Sequence, residues 1–190
     1  MLNEFLYNIA VMLDDMRLST LLHESYYMYN WVESTHVLFL MVSLGMLFLI
    51  DLRMLGLALP DVPASRIASR LTWPMAIGFS VMFITGILLF YAVPVRSTQS
   101  VWFRIKMLLL VAAAINAWLF HKRMNESVAD WDNDRKAPSH IRRGAILSLA
   151  FWAIIVMCGR FIAYDWFDCI RGQSPFVEFV AGCVDGQSRF

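Results

Sequence analysis

Four long apolar runs constrain this chain more than any other feature of its sequence. An α-helix rises ~1.5 Å per residue, so about 20 apolar residues are needed to cross the hydrocarbon core of a bilayer. The runs of this length are Ser34–Leu59, Leu71–Val95, Val101–His121 and Gly144–Tyr164. They predict an all-α integral membrane protein whose residues 31–165 form a bundle of four transmembrane helices.

The composition agrees with a membrane location. Of the 190 residues, 59% are hydrophobic and 16% are charged, whereas about 25% of the residues in soluble domains are charged. The net charge of +1 gives no reason to expect nucleic acid as a partner. The third connection, residues 122–143, is the most polar, and we expect a surface loop there with one helical turn.

The first 30 residues are too polar to span a bilayer. Apolar residues from Phe5 to Leu22 recur near helical spacing, with polar residues between them. This pattern predicts an amphipathic helix that lies in the membrane interface. The alternative is an ordinary helix that packs over the bundle. The aromatic cluster at residues 26–31 is typical of the belt at the end of a span.

Basic residues indicate the orientation of the chain. An even number of spans places both termini on one side of the membrane. The connections after the first and third runs, with the adjoining helix ends, hold nine Lys and Arg residues, whereas the other side holds seven. Because positive charge favours the cytoplasmic side, both termini are predicted to lie outside the cytoplasm.

Two cysteines in the tail, residues 166–190, support this orientation. A disulfide between Cys169 and Cys183 would close the tail into a loop, and it requires an oxidising compartment. The alternative is a pair of free thiols. Cys158 lies in the fourth apolar run and is expected to be a small buried residue.

Polar side chains inside the apolar runs are candidates for function, because polar groups are costly in a bilayer. His36 lies one turn into the first run, and imidazole is a common ligand of haem iron. Arg104, Lys106 and Arg160 lie near the same membrane face, where they would neutralise haem propionates. His23 is a further candidate ligand at this outer level. Alternatively, His36 hydrogen-bonds to a neighbouring helix.

A second pair of histidines, His121 and His140, lies at the opposite end of the predicted spans, which we call the inner level. His121 follows Val101 by 20 residues, which is about 30 Å along a helix, so His36 and His121 cannot bind one iron. The chain would therefore bind one haem b, or two with His23 completing the outer site and His140 the inner one. The alternative for His121 is an interfacial side chain that continues the basic run of residues 122–123.

The inner level also holds an acid and a base in the first run. Asp51 and Arg53 are too close in sequence to face each other on a helix. We expect each to form an ion pair with another segment, for example Asp51 with Arg123 or Arg142. Asn116 lies in the middle of the third run, where an interhelical hydrogen bond is the expected role.

The chain resembles a family of small, largely uncharacterised bacterial inner-membrane proteins with four helices. The stretches that carry the resemblance are residues 33–36 (Glu-Ser-Thr-His), 51–56 (Asp-Leu-Arg-Met-Leu-Gly), 85–86, 106–121 and 159–164. It implies a multi-pass protein of the bacterial inner membrane with periplasmic termini. A more distant resemblance reaches two groups. One is the HemJ type of protoporphyrinogen oxidase, a haem-b membrane protein with a His on an early helix and a Lys opening a later one, as His36 and Lys106 are placed here. The other is the copper-resistance protein D group.

Three functional hypotheses follow. In the first, the chain binds haem b and moves electrons, for example between quinone and a periplasmic redox protein. In the second, it is a non-catalytic membrane subunit or a self-assembling scaffold, present as a homo-oligomer or within a complex. In the third, it is a metal or solute permease of the copper-resistance type.

Overall fold

The computed structural model describes residues 2–25, 27–164, 166–169 and 172–183. Within these ranges the chain is helical without β-strands, and four long apolar helices pack together. The predicted all-α fold is therefore confirmed. In chain order the helices are α1 (Leu2–Asp14), α2 (Arg17–Glu24), α3 (Met28–Leu55), α4 (Ala64–Ala92), α5 (Pro94–Thr98), α6 (Val101–Trp131), α7 (Ser139–Ala163) and α8 (Pro175–Ala181).

Helices α3, α4, α6 and α7 are long and apolar enough to cross a membrane, as in a multi-pass membrane protein. Most of their boundaries differ from the prediction, and the two largest differences are in α4 and α6. Helix α4 begins at Ala64 rather than Leu71, and α6 continues to Trp131, so the first part of the predicted polar loop is helical. The predicted boundaries followed hydropathy, but a helix continues into polar sequence wherever its backbone hydrogen bonds remain satisfied.

Helix α3 ends in a Schellman motif centred on Gly56. The Leu57 amide donates to the Leu52 carbonyl, and the Gly56 amide donates to the Arg53 carbonyl. Gly56 has φ +74°, which favours glycine. A side chain here would also collide with the Arg135 carbonyl. The turn therefore fixes how the chain leaves α3 before Pro60.

The chain divides into two compact units, and each of the four long helices contributes to both. Unit 1 comprises residues 1–36, 83–108 and 155–190, and unit 2 comprises residues 37–82 and 109–154. The buried apolar core of unit 2 is formed by Ile50, Met54, Ala64, Ile67, Met124, Trp131, Ala137, Ile141 and Ala145. On the other faces of its helices, large apolar side chains such as Trp73 and Trp118 are exposed, as expected for contact with lipid.

The amino-terminal segment of unit 1 forms two helices where the prediction had one. Helix α1 packs against α5 and buries Ala10. Its exposed apolar side chains include Leu2, Phe5, Ile9 and Met12, which recur at helical spacing. An exposed apolar face is what an interfacial helix would present to lipid. The location of α1 in the interface stays a prediction.

Candidate functional site

The predicted ligand His36 is held by α4 within unit 1. Its Nδ1 atom lies 3.0 Å from the Thr85 Oγ1 atom, and its side chain is half-buried. A Cβ atom on Gly86 would lie 3.3 Å from the His36 Cε1 atom, so the imidazole packs closely against the bare helix backbone at this glycine. The hydrogen bond and the packing together fix the orientation of the ring.

Lys106 of α6 lies beside a glycine of α7, as His36 of α3 lies beside Gly86 of α4. It is half-buried, and a Cβ atom on Gly159 would lie 3.9 Å from its Nζ atom. Neither a hydrogen bond nor an ion pair of Lys106 is found in the described ranges. One turn earlier on α6 lies Trp102, whose ring centroid is 4.7 Å from that of Phe161. The Trp102 Nε1 atom is buried without a hydrogen-bond partner.

The other two predicted cations of unit 1 have different surroundings. The Arg104 Nη1 atom donates to Asn3 Oδ1 over 3.0 Å, and Nε donates to the Thr98 carbonyl over 3.2 Å. Arg104 therefore ties α6 to α1. Arg160 donates from Nε to the Tyr164 hydroxyl over 3.1 Å and stacks on that ring, but its side chain is exposed.

The remaining three histidines have exposed side chains. His23 is exposed on α2 within unit 1. His121 and His140 belong to unit 2, where both are exposed. Across the part of the chain that the structure describes, no group of three or more His, Cys, Asp or Glu side chains is placed to hold a metal ion.

The tail of unit 1 is closed by the predicted disulfide. Cys169 and Cys183 are bonded, and the Cys169 Sγ atom lies 3.7 Å from the Gln99 carbonyl. The Asn3 Nδ2 atom donates to the Phe179 carbonyl over 3.3 Å. The tail is thereby joined to α1 and to the segment before α6. Cys158 is free and buried, as expected.

The acid in the first run does not form the ion pair that the sequence led us to expect. Asp51 is only 2% exposed, and its carboxylate hydrogen-bonds to Ser148 of α7, not to Arg123 or Arg142. The second carboxylate oxygen, Oδ2, is buried without a partner. On the same face of α7 and one turn away, the Gly144 carbonyl accepts a 3.0 Å hydrogen bond from Asn116 Nδ2. Two polar contacts thus join α7 to α3 and α6 within unit 2, and the predicted interhelical role of Asn116 is confirmed.

Arg53 does reach other segments, but it binds backbone carbonyls instead of a carboxylate. Its Nε atom donates to the Val62 carbonyl over 2.8 Å, and Nη2 donates to the Asp134 carbonyl over 3.0 Å. The side chain is fully buried. It holds the connections 56–63 and 132–138 in place.

Sequence reasoning missed Thr85 and Ser148 as polar partners. The spacing of polar and small residues in α3 and α4 indicated that His36 lies against Gly86, and Thr85 is the residue directly before Gly86. His36 and Ser43 are seven residues apart, and they lie against Gly86 and Gly78, which are eight apart. Polar residues two turns apart on one helix thus match small residues two turns apart on the next. No comparable pattern indicates Ser148.

Comparison with known proteins gives a family but no activity. The sequence profile of one protein family, described as a family of unknown function (DUF6644), matches residues 23–165. The matched range contains α3, α4, α6 and α7 in full. The searches matched no curated protein and no solved structure.

Proposed function

The chain belongs to this family of unknown function, and we propose from its own side chains that it is a b-type haem-binding membrane protein that takes part in electron transfer. The observation that carries the proposal is His36, a half-buried imidazole on a helix of membrane length, held at Nδ1 by Thr85. Bound haem would supply a one-electron redox centre.

The surroundings of His36 fit a residue that would hold haem iron. A histidine that binds a metal through one nitrogen generally bonds through the other to a partner that fixes the ring and its tautomer. Because Nδ1 bonds to Thr85, iron coordination would use Nε2. Gly86 allows the ring to lie directly against α4. Thr85 and Gly86 are therefore positioning residues, since they act through His36.

Other side chains of unit 1 fit the acidic edge of a porphyrin. Lys106 is half-buried and has no acidic partner in the described ranges, so its charge is available to a propionate. Arg160 is a second cation, and the buried Trp102 Nε1–H is a donor that lacks an acceptor. Arg104 already donates hydrogen bonds to Asn3 and to the Thr98 carbonyl. His23 is the candidate for a second residue that would bind the iron.

The proposal comprises one haem. His121 and His140 are exposed in unit 2, and no hydrogen bond of either imidazole orients its ring within the described residues. A second haem at these residues stays a prediction. We further propose a bacterial inner membrane with periplasmic termini, where quinone and a periplasmic redox protein would be the electron partners. The distribution of Lys and Arg and the disulfide of the tail support this orientation.

An absorption spectrum of the purified protein tests the proposal. We expect a Soret band and an α band that sharpens on reduction by dithionite. His36→Ala is expected to abolish both bands, whereas His140→Ala, which changes an exposed histidine of unit 2, is expected to keep them. A folded wild-type preparation that shows no haem absorbance after haem is added and the unbound haem is removed would contradict haem binding. If it were also oligomeric, it would favour the scaffold hypothesis.

A further inference from the structure

An open groove in unit 2 combines an apolar floor with two cations. Its volume is about 410 Å³, and it is lined by Leu49, Leu59, Val62, Arg66, Ile67, Arg70 and Leu71. The apolar members come from the end of α3, the connection that follows it and the first turns of α4. The groove therefore lies where two spanning helices meet the membrane surface.

The two arginines of the groove have no protein partner in the described part of the chain. Arg66 and Arg70 are four residues apart on α4 and so share one face of the helix. Both side chains are exposed, and neither guanidinium forms a hydrogen bond or an ion pair with the residues that the structure describes. The nearby acids are engaged elsewhere. Asp61 pairs with Arg135 over 3.6 Å, and Asp132 accepts hydrogen bonds from the backbone and side chain of Ser65.

The walls of the groove are anchored. Val62 is held by the buried Arg53, whose Nε atom bonds to its carbonyl. The first turn of α4 is held by Asp132, whose carboxylate receives the Ser65 amide over 2.7 Å and whose carbonyl receives the Ala64 amide over 3.1 Å. The groove is thus a formed feature of the fold, since Val62 is bonded to Arg53 of α3 and the first turn of α4 is bonded to the connection after α6.

We propose that this groove binds an anionic phospholipid. The guanidinium groups of Arg66 and Arg70 bind the phosphate, because planar N–H donors match phosphate oxygens in pairs. Leu49, Ile67 and Leu71 contact the first part of an acyl chain. A phospholipid presents an anion and a hydrocarbon chain together at the depth where a spanning helix leaves the bilayer. This inference is independent of the proposed haem.

Lipid titration of the protein in mild detergent tests the inference. Phosphatidylglycerol, phosphatidylcholine with the same acyl chains, and inorganic phosphate are added separately, and bound lipid is counted by native mass spectrometry. We expect phosphatidylglycerol to bind about tenfold more tightly than phosphatidylcholine. Inorganic phosphate is expected not to compete. Equal binding of the two lipids, or competition by phosphate at millimolar concentration, would overturn the proposal.

Three variants locate the site. The double variant R66Q/R70Q is expected to lose the preference for phosphatidylglycerol. The matched double variant R142Q/R143Q removes two exposed arginines at the start of α7 and is expected to retain it. Leu71→Trp fills the groove without changing charge and is expected to weaken binding of both lipids. If R66Q/R70Q keeps the preference, or if R142Q/R143Q loses it equally, the groove is not the binding site.

Discussion

At the scale of single residues, three polar side chains of the first apolar run are each paired with a neutral group. His36 bonds to a threonine, Asp51 to a serine and Arg53 to backbone carbonyls. A hydrogen bond to a neutral group orients a polar side chain within an apolar helix without bringing a second charge into it.

Thr85→Val tests the positioning of His36. The substitution keeps the shape of the side chain but removes the hydroxyl that bonds to Nδ1. We expect haem affinity to fall by roughly 10- to 100-fold, as for other residues that orient a metal ligand. The measurement is haem transfer to apomyoglobin, followed by absorbance. Thr72→Val is the matched control on α4, because the Thr72 hydroxyl bonds to the Ala68 carbonyl of its own helix. Equal haem loss from the two variants would contradict this role.

A double-mutant cycle tests the contact between Asp51 and Ser148. We expect a coupling free energy of about 1 kcal/mol between Asp51→Ala and Ser148→Ala, since each change removes the same hydrogen bond. The free energy of unfolding is measured by titration with sodium dodecyl sulfate in mixed micelles. Additive effects of the two substitutions would show that the pair contributes nothing to stability.

At the scale of elements, close approach of α3 and α4 depends on glycines of α4. A Cβ atom on Gly86 would press on the His36 ring, and one on Gly78 would collide with the Ser43 hydroxyl. The first contact lies in unit 1 and the second in unit 2. Small residues at such positions allow membrane helices to gain van der Waals contact, which is a main source of their association.

Gly86→Ala is therefore expected to lower the stability of the protein. The new methyl group would lie 3.3 Å from the His36 Cε1 atom, so the ring must move by a few tenths of an ångström, and we expect a loss of stability of about 1 kcal/mol because overpacking destabilises. The measurement is thermal unfolding in detergent. Gly45→Ala on α3 is the control, because nothing lies within 4 Å of its added Cβ atom. It is expected to be neutral or stabilising by up to about 1 kcal/mol, since alanine favours helix. A Gly86→Ala protein as stable as the Gly45→Ala protein would refute the close contact.

At the scale of the whole molecule, four candidate spans and one disulfide constrain the orientation. Four crossings would place both ends of the chain in the same compartment, and a disulfide such as Cys169–Cys183 is typical of an oxidising compartment. We therefore predict that the connections after α3 and α6 face the cytoplasm.

Reporter fusions test this orientation. Alkaline phosphatase, which is active only outside the cytoplasm, is fused after Phe190 and, in a separate fusion protein, after Asp134. We expect high activity from the first fusion and low activity from the second, because Lys and Arg are more numerous in the connections after the first and third runs than on the other side of the membrane. The opposite result would reverse the orientation and would leave the disulfide of the tail without an oxidising environment.

The sequence by itself determined the fold class, the number of long apolar helices and the pairing of the two tail cysteines. Apolar length and helical backbone hydrogen bonding leave few alternatives for such a chain in lipid, and only two cysteines lie in its tail. The predicted end of the first span, Leu59, lies four residues beyond the end of α3 at Leu55, and hydropathy did not locate the start of α4 or the end of α6. Helices continue into polar sequence beyond the region that a bilayer covers.

Only the tertiary structure decided which groups meet. The sequence singled out His36, Asp51 and Arg53, but it could not select Thr85, Ser148 or the Val62 carbonyl as their partners. Partner choice depends on the rotation and register of each helix against its neighbours. These are set by the fit of side chains across the helix contacts, such as Ser43 against Gly78, and an apolar helix has no polar stripe in its sequence to reveal that rotation.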